Sequence, residues 1–403
     1  MSTSTAPATP LPAPHDSGCP FAPPPAYTEA AGHGPVSPAK LPDGSSCWLV
    51  TGYQEVRTVL SDRRFSADAA HPAFPFFAEG RRELVAANPT FLRIDDPEHA
   101  RLRRMVTQDF LVKRVEAMRP GIQRIVDEAL DRMTAHGGPA DLVAGFALPV
   151  PSLVICLLLG VPYRDREYFQ ELSRLLLTTA ADRKDVTRAQ NELLDYLGGL
   201  AEQKRADPGD DILSRLAVRE DLTARETAAT GLLLLLAGHE TTANMIGLAT
   251  ALLLRHPEQV ARLADPAAVP GAVEELLRLL TIVHTGLPRV AVEDVELGGT
   301  LVRAGDGVIA MLSTANRDDG LFGTEGHLGV DEVDLHRDAR RHLSFGFGVH
   351  QCLGQPLARA ELQIALATLF RRLPGLRLAV PEEELEFRTE ALVYGPRSLP
   401  VTW

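Results

Sequence analysis

The stretch Phe345-Gly346-Phe347-Gly348-Val349-His350-Gln351-Cys352-Leu353-Gly354 governs how the rest of the chain is read. It holds one cysteine among glycines and aromatics. Gln355-Pro356-Leu357-Ala358-Arg359-Ala360-Glu361-Leu362 follows at once and reads as the opening of a helix. Pro356 suits a first helical turn, where its missing N–H would have no partner in any case. Gly346, Gly348 and Gly354 permit backbone conformations and close approaches that a Cβ forbids. A cysteine just ahead of a helix N-terminus lies near the positive end of the macrodipole and near unpaired N–H groups, and both favour thiolate over thiol. On its own, one cysteine is more often an inert core side chain. Here its neighbours describe a soft, charged sulfur on a tight loop with space in front of it, as a single-thiolate metal ligand requires.

The 403 residues are 45% hydrophobic and 23% charged, ordinary for a globular protein, and could make two or three average domains or one large one. Lysine and arginine number 41 against 53 acidic residues, a net charge of −12, which argues against a nucleic-acid binder. Cys19, Cys47, Cys156 and Cys352 form no C-x-x-C pair, so neither a zinc site nor a disulfide framework is expected, and the reducing cytoplasm is the expected compartment. Cys156 falls in an apolar run and is expected in the core. Residues 1–25, rich in Ser, Thr, Ala and Pro, lack the basic and apolar regions of a signal peptide and read as a flexible or extended lead-in. Residues 231–254 could span a membrane by length, but His239, Glu240 and Asn244 interrupt them, so a buried helix and no membrane are expected.

Most of the chain reads as helices with a small β region. Residues 50–65 have helical spacing and a polar stop at Ser61-Asp62. Phe74, Phe76 and Phe77 fit equally a loop that patches the core or a wall of an apolar pocket. Asp96, Pro97 and Glu98 open a helix that sets His99 and Arg103 four apart on one face, an anion-binding pair or a solvated basic face. Residues 168–200 read as two helices joined near 178–184. Thr223-Ala224-Arg225-Glu226 is a capping box, and the helix it starts should run to about Arg255-His256, roughly 45 Å. In its middle stands Ala237-Gly238-His239-Glu240-Thr241-Thr242, a poor choice by propensity and polarity, which points to a kink or a functional site. Glu275 and Arg278 are spaced for an ion pair on a further helix over 270–280. Residues 282–292, 295–297 and 308–312 read as strands, 357–373 as a helix, and 386–403 as a closing hairpin and strand.

The pattern Phe-Gly-x-Gly-x-His-x-Cys-x-Gly at 345–354 resembles the heme-binding loop of the cytochrome P-450 monooxygenases. Ala-Gly-His-Glu-Thr-Thr at 237–242, Glu275-x-x-Arg278 and His99-x-x-x-Arg103 match further motifs of that family in the right order. The resemblance covers 50–403 and is closest to the soluble actinobacterial branch. It implies a mainly α fold, a triangular prism of helices around a buried heme, formed by residues 26–403 as a single catalytic domain. It implies heme b with Cys352 as axial ligand to the iron. It places Ala237, Gly238, Phe345, Gly346, His350 and Gly354 against the heme, and His99, Arg103, Arg289 and His342 on its propionates. Glu275, Arg278 and Arg337 become a buried ionic brace behind the cysteine loop. Thr241 and Glu240 would relay protons while dioxygen is activated.

Phe74, Phe76, Phe77, Leu233, Ala237, Val283, His284, Val393 and Tyr394 are the expected pocket for an apolar small molecule. No flavin or nucleotide motif is present, so NAD(P)H electrons would arrive through a separate ferredoxin reductase and ferredoxin. A monomer is expected. A non-catalytic heme-thiolate sensor is the rival class, and epoxidation or oxidative coupling the rival chemistry. The chain departs from the family at Asp319 and Val333, which replace a proline and a phenylalanine, and an extra Gly-rich turn is expected over 323–329.

Overall fold

The computed structural model describes residues 7–15, 18–78, 81–179, 181–323 and 328–403. In chain order the elements that position the site are β1 (Thr9–Pro10), β2 (Val36–Lys40), β3 (Ser46–Val50), α1 (Tyr53–Ser61), β4 (Phe65–Ser66), α2 (Glu98–Thr107), α3 (Val112–Thr134), α4 (Pro149–Leu159), α5 (Arg166–Leu177), α6 (Arg183–Ala206), α7 (Ala224–Arg255), α8 (Val269–Leu280), β5 (Leu287–Ala291), β6 (Gly307–Ala310) and α9 (Gln355–Arg372). The chain folds into two compact units. One holds the described residues through Ala87, with Leu92–Asp96 and Glu274–Cys352; the other holds Asn88–Phe91, Pro97–Val273 and Leu353–Trp403.

The first unit is built on a six-stranded sheet of order β1-β2-β3-β6-β5-β4. Only its later strands were legible. β2 carries Pro38, which by composition argues against a strand, yet it pairs antiparallel with β3, Pro38 opposite Trp48. Residues 282–286 are not part of β5; the strand begins at Leu287. The amphipathic α1 lays Tyr53, Val56, Val59 and Leu60 on a core with Val308, Ala310 and Leu312, each such side chain contributing about 1.5–3 kcal/mol by burial. The lead-in, over its described residues, is extended at Thr9–Pro10 and anchored. Thr9 and Pro10 pair parallel with β2, the Ala13 N–H donates to Tyr27 Oη at 2.8 Å, and Leu11 and Phe21 are buried.

The second unit is helical. The capping box forms as expected at Thr223 and Glu226, and α7 continues for 32 residues without a break, so the anomalous residues at its centre do not interrupt it. It is long and apolar enough to cross a membrane, but most of its apolar window is buried inside the fold. α5 and α6 are the two helices expected over 168–200. α9 packs on α3 and α7.

Behind the cysteine loop lies the ionic brace. Glu275 and Arg278 are fully buried, and they pair in bidentate fashion, Nε to Oε2 at 2.7 Å and Nη2 to Oε1 at 2.9 Å. Arg337 Nε donates to Oε1 at 3.1 Å, and the Asp334 N–H to the same oxygen at 3.2 Å. Arg337 also donates to the carbonyls of Phe322, Leu328 and Gly329, which pins both ends of the extra turn. The centre of that turn, 324–327, lies outside the described residues. Truncating Glu275 would leave two buried guanidiniums uncompensated. Glu275→Ala is expected to lower unfolding stability by about 3–5 kcal/mol, against less than about 1 kcal/mol for Asp338→Ala in the exposed Arg340 pair, read from denaturant midpoints. Equal small losses would mean the brace carries no such load.

Candidate functional site

The cysteine loop is held in shape from several sides, all within the first unit. Gly346 and Gly348 take φ of 71° and 73°, where an L side chain is strained. The two differ in what surrounds them. A Cβ on Gly348 would lie 2.3 Å from the Leu60 carbonyl oxygen, so that glycine lets the loop rest on α1. Arg57 lies over the Phe347 ring at 4.3 Å, and Tyr53 Oη donates to the Arg341 carbonyl at 2.8 Å. The Cys352 N–H donates to the Phe345 carbonyl at 2.8 Å. Asn316, fully buried, accepts from the Leu343 N–H at 2.6 Å and donates to Ser344 Oγ and Thr281 Oγ1. The role of Asn316 was not read from the sequence, because a lone buried amide has no periodic signature.

Cys352 is exposed, as is Cys19, whereas Cys47 and Cys156 are buried and burial pushes their thiols up to about 12. Those two are inert, as expected of Cys156. Gly354 has an ordinary φ of −80°, and no protein atom lies within 4 Å of where its Cβ would sit. Its lack of a side chain answers to nothing in the chain itself. A sulfur exposed beside a cradle that a Cβ would fill fits a planar group approaching closely. Phe345 and His350 are half-buried on the same loop.

Two cations of the first unit fit such a group's carboxylates. Arg289 is buried, donates to its neighbour's carbonyl (Pro288, 2.8 Å), and is pushed down to about 10 by burial, with Asp95 opposing. Arg93, which the sequence reading overlooked, lies over the Phe74 ring at 5.5 Å and is likewise pushed down to about 10, by desolvation and by Arg289. His342 is committed elsewhere. Its Nδ1 accepts from the Ser344 N–H and its Nε2 lies 3.1 Å from Glu274 Oε2, so in this conformation it has no donor left for a propionate.

In the second unit, α2 carries His99, buried, and Arg103, half-buried, one turn apart. Between Thr227 and Leu253 nearly all of α7 is buried. Leu233, Leu236, Ala237, Gly238 and Thr241 are the exceptions. Leu233, Leu236, Ala237 and Thr241 share one face and form an open stripe on an otherwise enclosed helix. Gly238 points away from it. A Cβ there would meet Ile155 Cδ1 of α4 at 2.6 Å, so this glycine serves a helix crossing rather than the open face. Thr241 Oγ1 donates to the Ala237 carbonyl at 2.6 Å. Glu240 is buried, with Oε2 receiving Arg388 Nη1 at 3.1 Å.

The expected pocket residues divide. Leu233 and Ala237 lie on the open stripe, and Val283 is half-exposed. Phe74 is core, packed with Ala69 and Val290, and with Phe76 it lines a cleft of about 530 Å³ bordered by Leu41 and Arg82; Phe77 packs against the Leu49–Ile309 cluster. His284 is stacked on His15 of the lead-in at 5.3 Å, which removes it from a pocket role. Val393 and Tyr394 are buried, Tyr394 stacked on Phe387 at 5.6 Å. Ala391 and Leu392, at the tip of the same hairpin, are the partly exposed pair.

The family model for cytochrome P450 matches residues 44–265 and 268–397. Cytochrome P450-SU2 of Streptomyces griseolus is 61% identical over 98% of this chain and 96% of its own length. Pentalenic acid synthase of Streptomyces avermitilis is 49% identical over 99% of each. The crystal structure of mycinamicin VIII C21 methyl hydroxylase from Micromonospora griseorubida, bound to mycinamicin VIII, superposes with a TM-score of 0.90 at 42% identity, over 98% of this chain and all of the other. The chain belongs to the cytochrome P450 family and is an oxidoreductase of that family, whose members bind a heme-thiolate cofactor, act on small molecules and receive electrons from partner proteins.

Burial pushes His284 down to about 3, with His15 adding to the effect. It is therefore neutral when folded and takes a proton on unfolding below its ordinary pKa near 6.5. Its contribution is complete above about pH 6.5 and is lost as pH falls toward 3. The loss has a slope of at most ~1.4 kcal/mol per pH unit. Urea unfolding of His284→Gln should accordingly show a shallower acid loss than wild type over that window. Parallel curves would contradict the assignment.

Proposed function

We propose that this chain is a monooxygenase in which Cys352 is the axial ligand of heme b, and that it hydroxylates an apolar small molecule such as a polyketide, macrolide, terpenoid or steroid-like compound. The observation that carries the reading is the exposed Cys352 sulfur on a loop fixed by Gly346, Gly348 and Asn316, next to the unfilled cradle at Gly354. The names of two relatives, a pentalenic acid synthase and a mycinamicin VIII C21 methyl hydroxylase, support the substrate class. Electrons would come from NAD(P)H through a ferredoxin reductase and a ferredoxin. The protein would act in the cytoplasm as a monomer, with residues 26–403 as one catalytic domain.

When bound, the heme with its thiolate ligand supplies activated oxygen for insertion into a C–H bond. The chain's own residues do the rest. Arg289, His99 and Arg103 would hold the propionates, and Arg93 would add a further cation beside Arg289. Such charge-assisted contacts are strong when sheltered from water. Leu233, Leu236 and Ala237 give the open stripe an apolar surface that favours an apolar substrate and excludes water. Thr241 Oγ, now donating to the Ala237 carbonyl, would turn its proton into that space. Glu240 would resupply the proton from the buried side of the helix. A heme sensor would have no use for this acid–hydroxyl pair.

The test uses purified protein with a surrogate ferredoxin system. Thr241→Ala should lose about ten-fold or more of product formation while reductant is diverted to peroxide, as expected when a proton donor is removed. Cys352→Ser should abolish the carbon-monoxide difference spectrum of the thiolate-ligated protein. An unchanged spectrum in Cys352→Ser would overturn the ligand assignment, and unchanged product and peroxide yields in Thr241→Ala would overturn the proton role.

A further inference from the structure

A cleft of about 580 Å³ opens in the second unit and shares no residue with the open stripe of α7 or with the closing hairpin. Its volume is that of a small-molecule site. Its walls come from α3, α9, the start of α8 and the segment after α7, which is a short helix over Pro257–Val260 and a tight turn over Ala261–Ala264. Leu263, Val269, Ile364 and Phe370 are buried and make its floor. Pro266, Pro270 and Pro374 are exposed and make its rim. Each proline ring fixes its own φ, so the rim is stiff and little ordering is needed to fill the cleft. α9 lines it with Ile364, Ala367, Thr368 and Arg371, the spacing of one helical face.

The polar groups of the lining are unequal. Thr368 is buried and accepts from Gln123 Nε2 at 3.1 Å, and the same nitrogen donates to Asp127 Oδ2 at 3.0 Å. Arg119 pairs with Glu116, Nε to Oε2 at 2.8 Å, and its Nη2 donates to Gln363 Oε1. Arg371 is exposed, and its guanidinium has no protein partner among the described residues. Gln363 and Arg371 stand about two turns apart on α9, so the cleft has two cationic ends, one paired and one open. No Asp or Glu lines it among the described residues. The acids next to it in the chain are committed: Glu116 to Arg119, Asp127 to Gln123, and Asp265 to the Ala267 N–H at 3.0 Å. An anion at Arg371 therefore meets a cation with no competing carboxylate. From Arg371 back to Ile364 is roughly 10 Å of helix, lined by apolar side chains.

We propose that this cleft is a second small-molecule site, which takes an amphiphilic monocarboxylate: the carboxylate on the Arg371 guanidinium, the apolar body along Ile364 and Phe370 inside the proline rim. A guanidinium can hold a carboxylate through two parallel hydrogen bonds, and burial of the apolar body supplies the rest of the affinity. The site is independent of the roles given to Cys352, Thr241 and Glu240.

The probe is decanoate, titrated by calorimetry into heme-loaded protein already saturated with phenylimidazole, so that the space before the iron is occupied. Wild type should bind one equivalent. Arg371→Gln should weaken binding about ten-fold or more, and Arg371→Lys should restore most of it. Decanol, which has the same body without the charge, should bind wild type and R371Q alike, and decylamine should bind neither. Ala367→Phe, which fills the floor and leaves the cation in place, should abolish binding of both decanoate and decanol. The carbon-monoxide spectrum of each variant checks that it is folded, and a misfolded A367F leaves the decision to the exposed R371Q. Absence of saturable decanoate binding overturns the proposal, as does equal affinity in R371Q or equal affinity for decylamine. A dimer in sedimentation that decanoate dissociates also overturns it, because the cleft then belongs to a second copy of the chain.

Discussion

The structure around the cysteine depends on one buried carboxylate. Glu275 accepts from two arginines and a backbone N–H in a region where an unpaired charge would be prohibitive. Each donor brings a different segment with it. Arg278 belongs to the same helix and reaches the Asn316 carbonyl at 2.8 Å; Arg337 and Asp334 belong to the approach to the cysteine loop. Removing solvent from so many charges is justified only if their geometry cannot drift. The result is a rigid back wall, and the loop in front inherits that rigidity through Asn316, Leu343 and Ser344. A side chain placed on such a loop has little freedom to move, as the axial-ligand role proposed for Cys352 would require.

The second constraint is the centre of α7. A helix buried along most of its length must accommodate the polar side chains it carries, and three of those near its centre are met by its own carbonyls. His239, Thr241 and Asn244 each reach back four residues to a carbonyl of the same helix, Leu235, Ala237 and Glu240 respectively. These local bonds let polar residues occupy a buried helix without breaking it, so the helix continues unbroken through a stretch whose composition is poor for one. Glu240 is the exception that cannot be satisfied locally, and a distant arginine is brought to it. Gly238 shows the opposite economy: it looks functional because of where it stands in the motif, but it is fixed by the approach of Ile155.

How much of this was legible can be judged residue by residue. The capping box at Thr223, the length of α7, the paired helices α5 and α6 and the Glu275–Arg278–Arg337 brace could all be read, the brace through its resemblance to a known motif. Periodicity and capping are local signals, and these elements are governed by them. β2 and β3 were not read, because Pro38 argues against a strand in β2 and five-residue runs give only a weak signature; pairing across the sheet supplies the missing drive. The lead-in reads as flexible or extended because its composition is that of a tail; over its described residues β2 and the Tyr27 hydroxyl hold it. His284 and Tyr394 sit in the expected segments but stack on His15 and Phe387, since a loop's side-chain contacts are set by what packs against it.

The sequence by itself determined the family, the cysteine that marks its centre, the order of the helices and the buried ion pair, because each of these is written in residues a few positions apart. Only the tertiary structure decided which face of α7 is open, that Arg388 closes on Glu240 from 148 residues away, that Arg93 stands beside Arg289, and that His342 is spent on Glu274. Those are contacts between segments remote in the chain. Their energies come from desolvation and packing at the meeting point, and no local pattern encodes where that point will be.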